Sequence, residues 1–80
     1  MPKLFKVLSG KEIIKILLRV GFYEKSQNGS HIKIAIRIDG LEKVVIIPNH
    51  KEVKQGTLNN IYKDAGEKVG FETIDKDFKN

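Results

Sequence analysis

The chain holds no cysteine in 80 residues, so disulfides, thiolate metal sites and a cysteine nucleophile are excluded. Histidine is scarce too: only His31 and His50 are present, with no His/Glu cluster at ligand spacing. That argues against a zinc site, and neither metal nor cofactor is expected. Long apolar runs are missing. The opening Met1-Pro2-Lys3-Leu4-Phe5-Lys6-Val7-Leu8 is interrupted by lysines, unlike a signal peptide, and no later segment approaches a membrane span. The expectation is a soluble, cytoplasmic chain with no membrane partner. Also absent are a P-loop, a dinucleotide fingerprint, a carboxylate pair, a Ser/His/Asp arrangement, internal repeats and interdomain linkers. A chain this short buries only about 60% of its unfolded surface, which points to one domain over residues 1–80 without an enclosed cofactor pocket.

What is present is lysine, unevenly spread. Residues 1–63 carry twelve Lys and Arg against five Asp and Glu; residues 64–80 carry three against five, which together make the formal +5. A basic body with a mildly acidic tail favours a polyanionic partner. Anionic membrane is the competing polyanion, but no basic amphipathic helix flanked by Trp or Phe is present. Lysines that merely keep a small protein soluble are the plainer explanation, and composition alone does not separate the two.

Ser9-Gly10-Lys11-Glu12 has capping-box spacing. Ile13, Ile16, Leu17 and Val20 follow at i, i+3, i+4 and i+7, with Ile14 and Leu18 widening the face, and Gly21 ends the run. This predicts a helix over 9–20. Phe22 to Ser26 reads as a strand, with Gln27-Asn28-Gly29 as its turn. The next strand, 31–38, puts Ile32, Ile34, Ile36 and Ile38 on one face and His31, Lys33, Ala35 and Arg37 on the other. Asp39-Gly40 is a hairpin signal, and a third strand over roughly 42–48 stops at Pro48. After a polar connection, Gln55-Gly56-Thr57 opens a second helix carrying Leu58, Ile61, Tyr62 and Ala65, closed by Gly66 or, one turn on, by Gly70. Phe71, Ile74 and Phe78 space like a short third helix. The order is α-β-β-β-α with a tail: an α+β two-layer sandwich, helices on one face of a three-stranded antiparallel sheet, the architecture of the double-stranded-RNA-binding domain.

Hairpin register bears on the histidines. A two-residue loop at 39–40 makes partner numbers sum to 79, and a four-residue loop makes them sum to 81. Both align Ile34 and Ile32 with apolar partners, and both place His31 and His50 on one face if strand geometry persists past Pro48. The histidines are then diagonal neighbours, about 7–8 Å apart, or directly opposite at about 5 Å. A three-residue loop would separate them.

His31 stands at a strand mouth after Gly29 and Ser30, opposite the isoleucine stripe. Imidazole titrates near neutrality, so it can take a proton from a ribose 2′-OH or give one to a leaving 5′-oxygen. RNA supplies its own nucleophile; cleavage needs alignment, proton transfer and positive charge near the phosphate. Gly29 allows close backbone approach, Ser30 adds a hydroxyl, and Lys33 offers a cation on the same face. Most strand-end histidines are simply surface residues, and that reading stays open here. His50 is either a loop histidine or a second proton-transfer group, with Lys51 and Lys54 beside it. Lys11, Lys15 and Arg19 recur every four residues, either as a solvated face or as contacts to RNA phosphates across a minor groove.

Together these fragments resemble the HicA family of small toxins. The resemblance runs from Ser9-Gly10-Lys11-Glu12-Ile13-Ile14-Lys15-Ile16-Leu17 through Gly21-Phe22 and Gly29-Ser30-His31. It resumes at Ile47-Pro48-Asn49-His50 and again from Lys54-Gln55-Gly56-Thr57-Leu58-Asn59-Asn60-Ile61-Tyr62 to Lys63-Asp64-Ala65-Gly66, covering about residues 4–66. It implies a metal-independent mRNA interferase whose catalytic histidine, in the Gly-Ser-His motif, falls on His31. It also implies an mRNA substrate and a HicB-type antitoxin that covers the active site until the toxin is released. Two departures stand out. Gln55 occupies a position where many members have proline, and the tail over 67–80 matches poorly, leaving antitoxin contact or dimerisation as roles open to it. The alternatives to the toxin are a non-catalytic RNA-binding module and a protein whose basic face docks an acidic partner.

Overall fold

A computed structural model describes residues 5–79; Met1 to Leu4, within the N-terminal run read above, and Asn80 lie outside them. The order is α1 (Gly10–Arg19), β1 (Tyr23–Asn28), β2 (His31–Ile38), β3 (Leu41–Pro48), α2 (Gln55–Val69) and α3 (Phe71–Phe78). The strands form one antiparallel sheet in the order β1-β2-β3. The α+β sandwich expected from the pattern is the fold observed. Among the described residues no helix is long and apolar enough to cross a membrane.

Local chemistry explains the first helix. Ser9 Oγ accepts from the Glu12 amide while the Glu12 carboxylate accepts from the Ser9 amide, the reciprocal box that Ser-x-x-Glu spacing predicts. At its other end Phe22 N–H donates to Leu17 C=O and Gly21 N–H to Leu18 C=O. Gly21 has φ +113, a value that favours glycine, and this pairing is a Schellman stop. Ile13, Ile14, Ile16 and Leu17 are buried, but Leu18, assigned to the same face from spacing, is 41% exposed.

The β2–β3 register sums to 79, the two-residue alternative. Asp39 and Gly40 both hold positive φ, as a type I′ turn requires. Ile32, Ile34 and Ile36 therefore join Val45 and Ile47 under the helices, each fully buried side chain contributing about 1.5–3 kcal/mol. The first hairpin differs from expectation. Its turn is Gly29-Ser30, not Gln27-Asn28-Gly29, and β1 runs on to Asn28, which pairs with His31. Gly29 at φ +63 is the first central residue, the II′ pattern. A bulge between Glu24 and Ser26 absorbs the extra length.

At the far end of the sheet Tyr23 and Lys25 both hydrogen-bond Glu42. Lys25 above all, then Tyr23, holds the Glu42 carboxyl below its ordinary pKa, and the same contact raises the Tyr23 phenol. A depressed carboxylate pKa stabilises the fold above the unfolded value, and that support fades as pH falls through the folded one.

The second helix passes through Gly66 and ends at Gly70, the later of the two stops. Gly66 is buried against Phe71, whose ring would lie 2.2 Å from an added Cβ. The tail is therefore core: Ile74 and Phe78 are fully buried, and Lys6 N–H donates to Phe78 C=O. Phe78→Ala should cost about 3–5 kcal/mol in urea unfolding, whereas a dispensable tail would leave the midpoint unmoved.

Candidate functional site

Pairing places His31 opposite both Asn28 and Pro48, on the sheet face away from the helices. That face also carries Ser26, Lys33 and Ile46 in one row, and Tyr23, Ala35 and Val44 in the next. The ladder continues one residue beyond β3, since Asn49 N–H donates to Ser30 C=O at 2.6 Å. The segment 49–54 then turns away, held by backbone hydrogen bonds and by the buried Val53 side chain. Gly10 N–H donates to His50 C=O at 2.9 Å, and Val53 N–H donates to Leu8 C=O at 2.9 Å. His50, Lys51 and Lys54 thus stand on a loop fixed to the β1–β2 turn, to the start of α1 and to the segment before it.

Gly10 permits this junction. A Cβ there would sit 2.1 Å from the Pro48 carbonyl oxygen. Gln55 adds a further tie, its amide exchanging two 3.3 Å hydrogen bonds with the Phe5 backbone. The residue that departs from proline thus has a task that proline could not perform.

Three concavities follow one another across this surface. The first, about 370 Å³, is lined by Ser26, Asn28, His31, Lys33 and Ile46. The second, about 430 Å³, has His31, Ile46 and His50 among its walls, with Pro48, Val53, Lys54 and Thr57. The third, also about 430 Å³, is lined by Ser9, Lys11, Asn49, His50 and Lys51. His31 belongs to the first two and His50 to the last two, so the histidines are the partitions between neighbours. The structure brings them to one cavity even though β3 ends before His50.

Charge separates these three from the concavities beside α1 and α2, whose linings include Glu12, Asp77 and Asp64. No carboxylate lines any of them. Among the described residues, Lys11, Lys33, Lys51 and Lys54 make no ion pair, whereas Arg19, Lys25, Lys68 and Lys79 each have an acidic partner. Lys15 falls elsewhere. It lines a different concavity with Arg19, Glu12 and Asp77, where Arg19 lies 3.5 Å from Asp77. The helical stripe Lys11, Lys15, Arg19 is thereby divided, with only its first member facing the histidines.

Gly29 and Ser30 border the site through the turn. An added Cβ at Gly29 meets nothing within 4 Å, so its positive φ, and not crowding, is what the turn asks of it. Sequence reading passed over Ser9, Ser26, Asn28, Ile46, Asn49 and Thr57. Placing the first turn at Gly29-Ser30 would have brought Asn28 beside His31. The apolar Ile46, 46% exposed, was legible as a non-core position once the odd register was chosen.

An imidazole flanked by uncompensated ammonium groups and amide or hydroxyl side chains can transfer a proton beside a bound phosphate. One comparison with known proteins identifies a family: the one described as HicA toxin of bacterial toxin-antitoxin matches residues 10–67. No curated protein and no solved structure matches the chain. Gly10→Ala should lower stability by about 1–3 kcal/mol and move the amide resonances of Asn49 to Lys51. Unmoved resonances would show that the Gly10 junction does not position the loop.

Proposed function

This chain belongs to the HicA toxin family, and from that premise we propose that it is an endoribonuclease toxin that cleaves mRNA and arrests translation. The observation carrying the proposal is that His31 and His50 wall the same carboxylate-free concavity, with Lys54 in it and Lys33, Lys11 and Lys51 in its neighbours. Membership also brings an antitoxin partner, which we take to be of HicB type and to cover these concavities. The place of action is the cytoplasm, where mRNA is found.

The reaction uses groups already present. One imidazole removes the proton of a ribose 2′-OH, and the oxygen forms a bond to the adjacent phosphorus. The bond from phosphorus to the 5′-oxygen breaks, and that oxygen takes a proton from the second imidazole. The products are a 2′,3′-cyclic phosphate and a 5′-hydroxyl. His31 is the principal proton-transfer residue, His50 its partner, and Lys54, in the same concavity, offsets the charge that builds on the phosphoryl oxygens. Gly29 and Ser30 shape the strand mouth, while Lys33, Lys51, Lys54 and Lys11 hold the backbone. Lys15 faces a separate concavity and is the weakest member of that set. No metal enters this scheme.

Purified protein should cleave mRNA with a chelator present. His31→Ala should lower the rate by about 10²–10⁴-fold while the far-ultraviolet circular dichroism stays unchanged. Cleavage that survives the substitution would overturn the assignment of His31. Salt-sensitive RNA affinity with no product at any protein concentration would instead identify a binding module.

A further inference from the structure

The three concavities adjoin one another, each histidine lining two of them, and their linings differ in balance. The middle one has three apolar walls, Ile46, Pro48 and Val53, while hydroxyl, amide and ammonium groups prevail in the outer two, with Ile46 also reaching the edge of the first. Each volume, about 370–430 Å³, lies near the lower end of the roughly 300–1,000 Å³ of small-ligand sites, space for one nucleotide and not two. Every one of the three has at least one lysine and no acid.

The double-stranded-RNA-binding architecture invites a duplex laid along α1, and the charges there speak against it. Lys15 and Arg19 share their concavity with Glu12 and Asp77, and Arg19 is already paired. A duplex keeps its bases stacked inside and offers phosphates and 2′-hydroxyls, which have no use for the apolar walls between the histidines. In-line attack by a 2′-OH also needs backbone torsions that base pairing withholds. A single strand meets both demands, since its bases can splay onto apolar side chains.

Resting on the endoribonuclease reading, we propose that the RNA is held as a single strand of three nucleotides along this track. The reacting nucleotide lies between His31 and His50, one neighbour lies against Asn28 and Lys33, and the other against Lys11 and Lys51. The last pair forms an outer subsite that sets affinity without touching the reacting phosphate.

The test uses 2′-O-methyl oligonucleotides of one to four residues, which lack the nucleophile and so report binding apart from cleavage. Affinity should rise with each nucleotide up to three and then level off. Amide shifts at Lys11, Asn49 and Lys51 should begin only with the trimer. Lys11→Ala and Lys51→Ala should each weaken trimer binding at least fivefold, and the same strand annealed to its complement should bind at least tenfold less tightly. Duplex binding as tight as the single strand, with shifts at Lys15 and Arg19, overturns the proposal. So do trimer shifts confined to Ser26–Lys33. Track-like shifts in a protein that cleaves no mRNA uphold the track and discard only the reaction; cleavage without them does the reverse.

Discussion

Two adjacent residues with positive φ, Asp39 and Gly40, set the register of the β2–β3 ladder, and much else follows from that register. Because strand side chains alternate, a slip of one residue would send Ile32, Ile34 and Ile36 to solvent and His31 into the core. The helix-facing isoleucines enforce the same choice from the other side, since burying them is the main favourable term available to so short a chain. Turn geometry and burial agree, and their agreement puts His31 on the open face with Pro48 beside it.

The second histidine depends on a different kind of constraint. His50 is not in a strand; its place is decided where the end of β3 meets the start of α1, with no room for a Cβ at Gly10 and a hydrogen bond from Gly10 to His50. The capping box holds that helix start in one conformation, so the junction is rigid on both sides. Val53, fully buried and tied to Leu8, anchors the other end of the loop. In this chain of a toxin family that works with a partner, the basic concavities run from the open sheet face at His31 past the 49–54 loop to the start of α1.

The elements read correctly from the sequence are those governed by neighbours in the chain. Ser9-x-x-Glu12, Gly21 and Asp39-Gly40 each specify backbone dihedrals or hydrogen bonds within a few residues. The misread elements are those where distant groups intervene. Asn28 looks like turn chemistry, yet the bulge near Lys25 lets it stay in the strand opposite His31. Gly66 and Gly70 both look like helix stops, and the choice of Gly70 rests on a distant group, since Phe71 fills the space beside Gly66. The short third helix expected from Phe71, Ile74 and Phe78 forms, but the spacing did not show that Phe78 completes the core beside Phe5 and Tyr62.

The candidate site divides along the same line. Chemistry was legible residue by residue: two imidazoles, a glycine and a serine at a strand mouth, and a surplus of lysine on a cysteine-free chain. Periodicity also settled which face His31 would take, because alternation along a strand is a local property. Which lysines stand beside the histidines was not local. Lys11 and Lys15 are equivalent by spacing, but α1 begins against Pro48 and His50 at Gly10, so Lys11 lines a concavity with His50 and Lys15, one turn on, lines one with Asp77. The sequence determined the inventory and the strand faces; the packing of α1 on the end of β3 decided which charges share the site, since that contact joins residues forty positions apart whose side chains carry no trace of it.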